Sequence, residues 1–227
     1  MGTESLRIRF DDHDVSGLLI EPGDARACFV FAHGAGAGMT HRSMSTIAES
    51  LALRGVATLR YQFPYMERGS KRTDAPSLCH ATVRAAVNLA AQRVPHLPLF
   101  AGGRSFGARM TSQAQALTPL LNVRGLIFLG FPLHPAGKPS IDRAKHLADV
   151  KIPMLFVQGT RDDLAHLDLL RPILNSLEAL ATLHLLKEAD HSFHVLARSG
   201  RKDAEVNDEA CDAIARWCSK HSTNAAR

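Results

Sequence analysis

Aromatic residues are scarce in this chain: they make up 6% of its 227 residues, with one tryptophan and two tyrosines. Lysine and arginine number 27 against 22 aspartate and glutamate residues, a formal net charge of +5, but the basic residues are scattered and do not alternate with aromatic ones. Nucleic-acid-binding segments typically combine a basic patch with aromatic side chains that stack on bases. We therefore expect a mildly basic surface and no nucleic-acid partner.

Cysteine is also rare, and no long apolar run occurs. The four cysteines form no C-x-x-C pair, and this usage is typical of a reducing compartment rather than of a disulfide framework. The first ten residues, MGTESLRIRF, do not place an apolar stretch after a basic flank, and no segment is apolar over the length needed to cross a bilayer. We expect a cytoplasmic protein without a membrane partner.

The motifs that hold metals and nucleotides are missing as well. The chain has twelve histidines, but H-E-x-x-H does not occur, and the cysteines lack the spacing of a zinc site. Segment 33–38, HGAGAG, is rich in glycine, yet a G-x-G-x-x-G fingerprint would need glycine where Met39 stands. The P-loop motif G-x-x-x-x-G-K-[ST] is absent. We therefore expect no metal and no cofactor.

The chain does contain a regular alternation of short apolar runs and longer segments with helical spacing. From residue 27 onward this order predicts an α/β fold, with a mostly parallel central sheet and helices on both faces, in a single domain over 1–220 with 221–227 as a flexible tail. Ligands bind such sheets at the carboxyl ends of the strands. The predicted strands are 6–10, 15–20, 27–32, 56–61, 97–101, 125–129, 153–158 and 182–186, and the predicted helices are 43–53, 76–92, 106–116, 166–177 and 204–220.

A serine follows one of these strand ends. Residues 103–107, G-R-S-F-G, match G-x-S-x-G between a predicted strand and a predicted helix. In such a turn the serine hydroxyl points into the cleft, and the flanking positions must be small because backbone segments come close together. The following helix directs its N-terminal N–H groups toward developing negative charge. Ser105 is therefore our candidate nucleophile; the alternative is an ordinary glycine turn with a serine that caps the helix.

An acid and a histidine follow the last two predicted strands. Asp162 comes shortly after the first of them, and His191 lies in the loop after the second. Alone, Asp162 could equally cap a helix. The chain order serine, aspartate, histidine is nevertheless one of the known orders of a catalytic triad, and each residue stands where the sheet would expose it. The alternatives that remain are Asp163 and Asp190 for the acid and His194 for the base.

The three side chains would divide one proton transfer among them: Ser105 gives the proton, His191 accepts it and Asp162 orients the histidine. Ser105 is a weak nucleophile until a base takes its proton. His191 would accept that proton and later deliver it to the leaving group, while Asp162 would hold the imidazole in the useful tautomer. The oxyanion needs two backbone donors, for which we predict the N–H of Phe106, directly after the nucleophile, and the N–H of Ala35, after the glycine that makes the bend.

Five short motifs together span most of the chain: HGAG at 33–36, YQFPY at 61–65, GGRSFG at 102–107, FPLHP at 131–135 and DHSF at 190–193. With them the chain resembles the α/β-hydrolase superfamily, in particular its small lidless dienelactone-hydrolase-like branch. More narrowly, it resembles the group that contains a testis-expressed hydrolase-like protein and a subunit of a histone-acetylation complex. Two departures matter. Dienelactone hydrolases use cysteine where this chain has Ser105, and some relatives in the narrower group are interaction proteins.

The resemblance implies an α/β-hydrolase fold without a separate cap domain, because only about twenty residues separate Leu129 from Val150. It also implies a serine hydrolase that cleaves a small-molecule carboxylic ester or thioester through an acyl-enzyme. The open cleft favours short acyl groups. The alternatives are a peptidase or amidase that uses the same triad, and a non-catalytic interaction module on the same fold.

The residues expected to contact the substrate come from the turns around Ser105. Basic side chains at positions 68, 71, 104 and 109 could make the rim of the cleft positive, which would suit acidic or polar esters. The simpler interpretation of these charges is a solvated surface, and we prefer it from the sequence alone. The expected substrate contacts are His33, Phe63, Arg104, Phe131 and His134.

Overall fold

A central sheet of eight strands organises the part of the chain that the computed structural model describes, residues 2–222. The strand order is β1-β2-β4-β3-β5-β6-β7-β8; β2 is antiparallel to both of its neighbours, and every pair from β4 to β8 is parallel. The predicted mostly parallel sheet is confirmed. The strands are β1 Thr3–Phe10, β2 His13–Ile20, β3 Ala27–Ala32, β4 Val56–Tyr61, β5 Leu99–Arg104, β6 Val123–Leu129, β7 Met154–Gly159 and β8 Ala181–Leu186.

Helices cover the sheet on both faces, as predicted. On one face α1 and α6 pack in a shared buried cluster, and on the other face α3, α4 and α5 pack in a second cluster. Three short 3₁₀ segments complete the helical structure of the described chain: Asp142–Asp149, Glu178–Leu180 and Ala197–Ser199. The α-helices are α1 Arg42–Ala52, α2 Pro64–Glu67, α3 Pro76–Arg93, α4 Phe106–Leu117, α5 Leu167–Ser176 and α6 Asp203–Ser222.

The central strand β3 shows why the sheet has two cores. Its sequence ACFVFA is apolar throughout, and all six residues are buried. Successive side chains of a strand point to opposite faces. Phe29 and Phe31 therefore join the α1–α6 cluster, whereas Cys28 and Val30 join the cluster beneath α3, α4 and α5. Truncating Phe29 to alanine would cost about 3–5 kcal/mol of unfolding free energy, since the side chain is fully buried.

Several predicted boundaries differ from the structure by a few residues, and two of the corrections concern the nucleophile turn and the end of the chain. The strand predicted at 97–101 is Leu99–Arg104, because the glycines at its end pair with β6 on one side and β3 on the other. The closing helix continues to Ser222, so positions 221 and 222 of the predicted tail are helical. His221 packs against Trp217 at 4.4 Å between ring centroids, and a basic last turn suits the negative end of the helix dipole. The rest of the predicted tail, 223–227, lies outside the described residues.

The topology brings four loops to one edge of the sheet. The turn after β3, the turn after β5 and the loops after β7 and β8 all leave the carboxyl ends of parallel strands. Between β6 and β7 the chain forms a loop and the 3₁₀ segment Asp142–Asp149, with no cap domain. No helix within residues 2–222 is both long enough and apolar enough to span a membrane.

Candidate active site

The turn between β5 and α4 holds Ser105 in a left-handed backbone conformation, with φ 50° and ψ −111°. Such a conformation costs a residue other than glycine about 1–3 kcal/mol and persists where the surrounding structure enforces it. Ser105 occupies the N-cap position of α4, but its side chain makes no capping hydrogen bond. The hydroxyl is therefore turned away from the helix and is available for other contacts.

The two glycines of the G-x-S-x-G motif allow this turn to lie against the neighbouring strand. A Cβ atom on Gly103 would lie 2.5 Å from the Ala32 carbonyl oxygen, and one on Gly107 would lie 2.7 Å from the Ala32 Cβ atom. Neither close contact could be relieved by moving a flexible side chain, because a Cβ atom at either glycine would also meet the Ala32 carbonyl oxygen of the backbone. The small residues expected from the motif are thus required by the packing of β5 and α4 on β3.

The structure brings the three predicted triad side chains into one chain of hydrogen bonds. The Ser105 hydroxyl lies 2.8 Å from His191 Nε2, and His191 Nδ1 lies 2.8 Å from Asp162 Oδ2. A carboxylate accepts only, so Nδ1 carries the proton and Nε2 is free to accept from Ser105. The imidazole is therefore held in the tautomer that a general base needs.

The side chain of Asp162 is fully buried, and each of its oxygens has a donor. Oδ1 accepts from the backbone N–H of Leu164 at 2.8 Å, and Oδ2 accepts from Gln158 Nε2 in addition to His191. Three donors compensate the burial of this carboxylate. Gln158 also accepts the Phe131 N–H at 3.0 Å, so one glutamine side chain fixes the acid and the start of the loop after β6.

The competing acids and the competing histidine lie elsewhere. Asp163 is exposed, and Asp190 accepts the backbone N–H groups of Ser192 and His194 at 2.7 and 3.0 Å. The His194 ring is engaged by another acid, with Nδ1 2.9 Å from Asp203 at the start of α6. The hydrogen bond with Asp203 raises the pKa of His194 above its ordinary value. His194 therefore anchors the loop that carries the triad histidine.

Of the two predicted oxyanion donors, Phe106 directly follows the serine, and Ala35 directly follows Gly34, which lies near the serine. Phe106 is the first residue of α4, so its N–H has no acceptor within the helix. Ala35 is exposed in the turn after β3, and the Tyr65 hydroxyl donates to its carbonyl oxygen at 3.0 Å. Gly34 of the same turn lies beside the nucleophile, because a Cβ atom there would be 3.9 Å from the Ser105 Cβ. The hydrogen bond from Tyr65 thus fixes the position of this turn.

Burial corrects the expected role of four predicted substrate contacts. His33 accepts the Phe63 N–H on Nε2 at 3.0 Å and donates from Nδ1 to the Gly34 carbonyl oxygen at 2.7 Å. Burial lowers the His33 pKa to about 4, which keeps the ring neutral. The other three expected contacts are enclosed in the same way, so all four side chains support the loops of the site and do not line the cleft. The four fully buried residues are His33, Phe63, Phe131 and His134.

The fifth expected contact, Arg104, is also mostly enclosed. Its guanidinium carbon lies 4.9 Å from the centroid of the Phe193 ring, in the loop that carries the triad histidine. Burial lowers the pKa of Arg104, while the nearby carboxylates of Asp190 and Asp162 act in the opposite direction. The arginine therefore places a positive charge under the histidine loop and close to the acid of the triad.

Sequence reasoning missed three supporting residues: Gln158, Tyr65 and Phe193. Gln158 offered the clearest signal, because it is a polar residue at the end of the otherwise apolar strand β7, MLFVQG. Tyr65 lies in the short helix α2, which begins at Pro64 and was not predicted as a helix. Phe193 has a positive φ of 64°, a conformation that the sequence does not reveal for an aromatic residue. In all three the role depends on contacts with distant segments.

Comparisons with known proteins identify the family of the chain and solved structures with a similar fold. Residues 25–219 match the protein family described as an alpha/beta hydrolase domain. A dienelactone hydrolase from Anabaena variabilis has a TM-score of 0.75 and 21% identity, covering 97% of this chain and 96% of that chain. A serine hydrolase without a lid from Xanthomonas campestris has a TM-score of 0.73 and 21% identity, covering 95% and 94%. The esterase domain of a Rhodothermus marinus protein has a TM-score of 0.75 and 15% identity, covering 98% and 100%.

Proposed function

The chain is an α/β hydrolase that belongs to the alpha/beta hydrolase domain family, with the lidless architecture of its small members, and we propose that it hydrolyses carboxylic esters or thioesters through an acyl-enzyme. The observation that carries the proposal is the pair of 2.8 Å contacts that join Ser105, His191 and Asp162. Under this proposal Ser105 is the nucleophile, His191 the general base and Asp162 the acid that orients it.

In the first half of the reaction the Ser105 oxygen attacks the carbonyl carbon while its proton passes to His191 Nε2. Asp162 stays ionised and stabilises the imidazolium that forms. The carbonyl oxygen becomes an oxyanion, which accepts hydrogen bonds from the N–H groups of Phe106 and Ala35. His191 then gives its proton to the leaving alcohol or thiol, and the acyl group remains on the serine.

In the second half a water molecule replaces the alcohol. His191 takes a proton from the water, the resulting hydroxide attacks the acyl-enzyme, and a second oxyanion forms at the same place. Collapse of this intermediate releases the carboxylic acid and returns the proton to the Ser105 oxygen. Every proton in this sequence moves through one imidazole, whose position is fixed before substrate arrives by the hydrogen bond to Asp162.

A fluorophosphonate probe tests the proposal, because it labels a serine only when a neighbouring base activates it. We expect labelling of the wild-type chain and loss of both labelling and ester hydrolysis in Ser105→Ala. Ser192→Ala is the matched control: it removes an exposed hydroxyl from the histidine loop and should be labelled like the wild type. Labelling that survives in a folded Ser105→Ala protein would contradict the assignment.

A further inference from the structure

Two arginines that the triad does not use lie on adjoining elements, one on α4 directly after the nucleophile turn and the other on the 3₁₀ segment that packs against α4. The backbone N–H of Arg109 on α4 donates to the Ser105 carbonyl oxygen at 3.2 Å, so the two residues are one helical turn apart. Arg143 belongs to the 3₁₀ segment Asp142–Asp149. Burial lowers the pKa of Arg109, and the positive charge of Arg143 lowers it further. Both side chains are partly exposed, and we call the two residues the arginine pair.

The side chain of Arg109 is directed toward the nucleophile end of α4. Helical side chains lean toward the N-terminus of their helix, over the preceding turn. In agreement, the Arg109 guanidinium carbon lies 5.9 Å from the centroid of the Phe106 ring. That ring packs edge-on against Phe63 and Tyr65, with centroid distances of 5.5 and 6.1 Å. The charge of Arg109 is therefore carried back toward the proposed oxyanion donor Phe106.

Within residues 2–222, no acidic side chain forms an ion pair with Arg109, and its buried Nε atom has no hydrogen-bond partner. Two acids on adjoining segments are engaged by other groups, and a third, Asp149, lies at the far end of the 3₁₀ segment, where its charge acts on His146. Asp74 accepts from the Tyr65 N–H at 2.7 Å and from Arg68 at 2.5 Å, and Asp142 pairs with Lys145 at 2.6 Å. A buried donor without an acceptor is costly and rare in folded proteins. Arg109 Nε shares this feature with five other buried side-chain atoms of residues 2–222, among them Arg104 Nη1. In Arg109 it is combined with a partly exposed guanidinium that leans toward the nucleophile end of α4, where a ligand can supply the acceptor.

The polar groups packed beside Arg109 are neutral. Ser112 donates its hydroxyl proton to the Arg109 carbonyl oxygen at 3.0 Å and lies 2.7 Å from His146 Nε2, which is then the donor of that second contact. Burial, assisted by the charge of Arg109, lowers the His146 pKa to about 4, so this ring is uncharged near neutral pH. Burial also lowers the pKa of His80. An anion at this place would face two arginine charges with neutral imidazoles behind them.

We propose that Arg109 and Arg143 form an anion subsite that holds a carboxylate of the substrate beside the ester bond cleaved at Ser105. The inference rests on the proposed esterase function and narrows its substrate class to esters that carry a second, negatively charged group. The planar guanidinium of Arg109 is suited to a carboxylate, with which arginine forms paired hydrogen bonds. The carboxylate can belong to the acyl part or to the alcohol part of the ester.

Matched ester pairs test the subsite. The acyl arm compares 4-nitrophenyl hydrogen adipate with its neutral methyl ester, and the alcohol arm compares 3-carboxyphenyl butyrate with its neutral methyl ester. For each pair we measure the ratio of kcat/KM, anionic over neutral. We expect a ratio above one in one arm, and a fall of about ten- to a hundredfold in that ratio for Arg109→Met, since a hydrogen bond to a charged group is lost. Arg143→Met should lower the ratio less, because Arg143 contributes mainly charge.

Two further variants make the result specific. Arg171→Met removes an exposed arginine from α5 and should leave the ratio unchanged, so it controls for the overall charge of the protein. Arg109→Lys keeps the charge but not the paired hydrogen bonds, and it should retain part of the preference. A ratio of one in both arms for the wild type would overturn the proposal. So would a fall in Arg171→Met as large as that in Arg109→Met.

Binding without turnover separates the subsite from the proposed reaction. Free adipate can be titrated into Ser105→Ala by NMR, with adipamide as the neutral control. We expect adipate to bind more tightly than adipamide and to lose about tenfold or more in affinity when Arg109→Met is added. If none of the esters is cleaved but adipate binds in this manner, the esterase function fails and the subsite stands. If the esters are cleaved but adipate and adipamide bind alike, the subsite fails alone.

Discussion

Two polar clusters near the nucleophile turn differ in how far their hydrogen bonds are satisfied within the protein. In one cluster, both oxygens of the buried Asp162 are engaged, and His191 uses both ring nitrogens. In the other cluster, the arginine pair forms no ion pair with an acid of residues 2–222, and Arg109 leaves a buried nitrogen without a partner there. The first cluster is complete in the free protein, whereas the second is completed only by a ligand.

The difference matches what each cluster would do. A general base must be in position before the reaction begins, because reorganising it in the transition state would raise the barrier. A substrate-binding group gains nothing from an internal partner, since a ligand would first have to displace it. The groups proposed to carry out the reaction thus have hydrogen-bond partners within the protein, whereas the groups proposed to bind the substrate lack them. The comparison predicts that substitutions in the two clusters affect different kinetic parameters.

The largest effect is expected in the satisfied cluster, from Asp162→Asn. An asparagine has nearly the same shape, but its amide cannot hold His191 in the tautomer with Nε2 free, and the analogous change in a known triad costs about 10⁴-fold in kcat. Asp163→Asn is the matched control, because Asp163 is the exposed neighbour and makes no contact with His191. Steady-state kinetics on a p-nitrophenyl ester decides the point. If Asp163→Asn shows the larger loss, the wrong acid has been assigned.

An intermediate effect is expected from Gln158→Met, which removes a donor to Asp162 and the acceptor for the Phe131 N–H. Leaving that buried N–H unpaired and the acid less firmly held should lower kcat by about ten- to a hundredfold, with KM nearly unchanged. Gln92→Met, at an exposed position on α3, serves as the control. Equal kinetics for both variants would show that Asp162 does not need the glutamine.

The smallest effect is expected from lengthening a neutral acyl chain. Each methylene that becomes buried in a complex contributes about 0.8 kcal/mol, but the 3₁₀ segment between β6 and β7 provides little material to cover a chain. We expect kcat/KM to be highest from acetyl to butyryl p-nitrophenyl esters and to change little between them. A continuous rise toward long chains would show an apolar trough on the side of Ser105 that we describe as open.

Sequence reasoning located the candidate triad because Ser105, Asp162 and His191 each follow the end of a strand. In a parallel sheet these ends share one edge, so the order of the apolar runs was enough to bring the three residues together. The spacing of the chain does not distinguish Asp162 from Asp163. The choice depends on which carboxylate is buried, and the backbone N–H of Leu164 and the side chain of Gln158 decide that, neither of which a spacing argument includes.

The predicted substrate contacts show where such reasoning ends. His33 and Phe131 do lie at strand ends, as expected, but the direction of a side chain in a turn is set by distant partners. For His33 the partner is the Phe63 N–H, thirty residues away. Arg109 shows the opposite error. The sequence favoured a solvated charge, whereas the structure half-buries the side chain against Phe106, and no acid in the described part of the chain forms an ion pair with it.

The contact between Asp203 and the histidine loop has a consequence for biosynthesis. Asp203 begins α6 and accepts hydrogen bonds from the Val195 N–H and the His194 ring, while Val206 of the same helix shares a buried cluster with Phe193 and Val195. Ser105, Asp162 and His191 all leave the ribosome before this helix does. The nascent chain therefore carries every reactive group of the site while its histidine loop still lacks its contacts with α6. We expect the geometry described here only after the residues of α6 have emerged and packed.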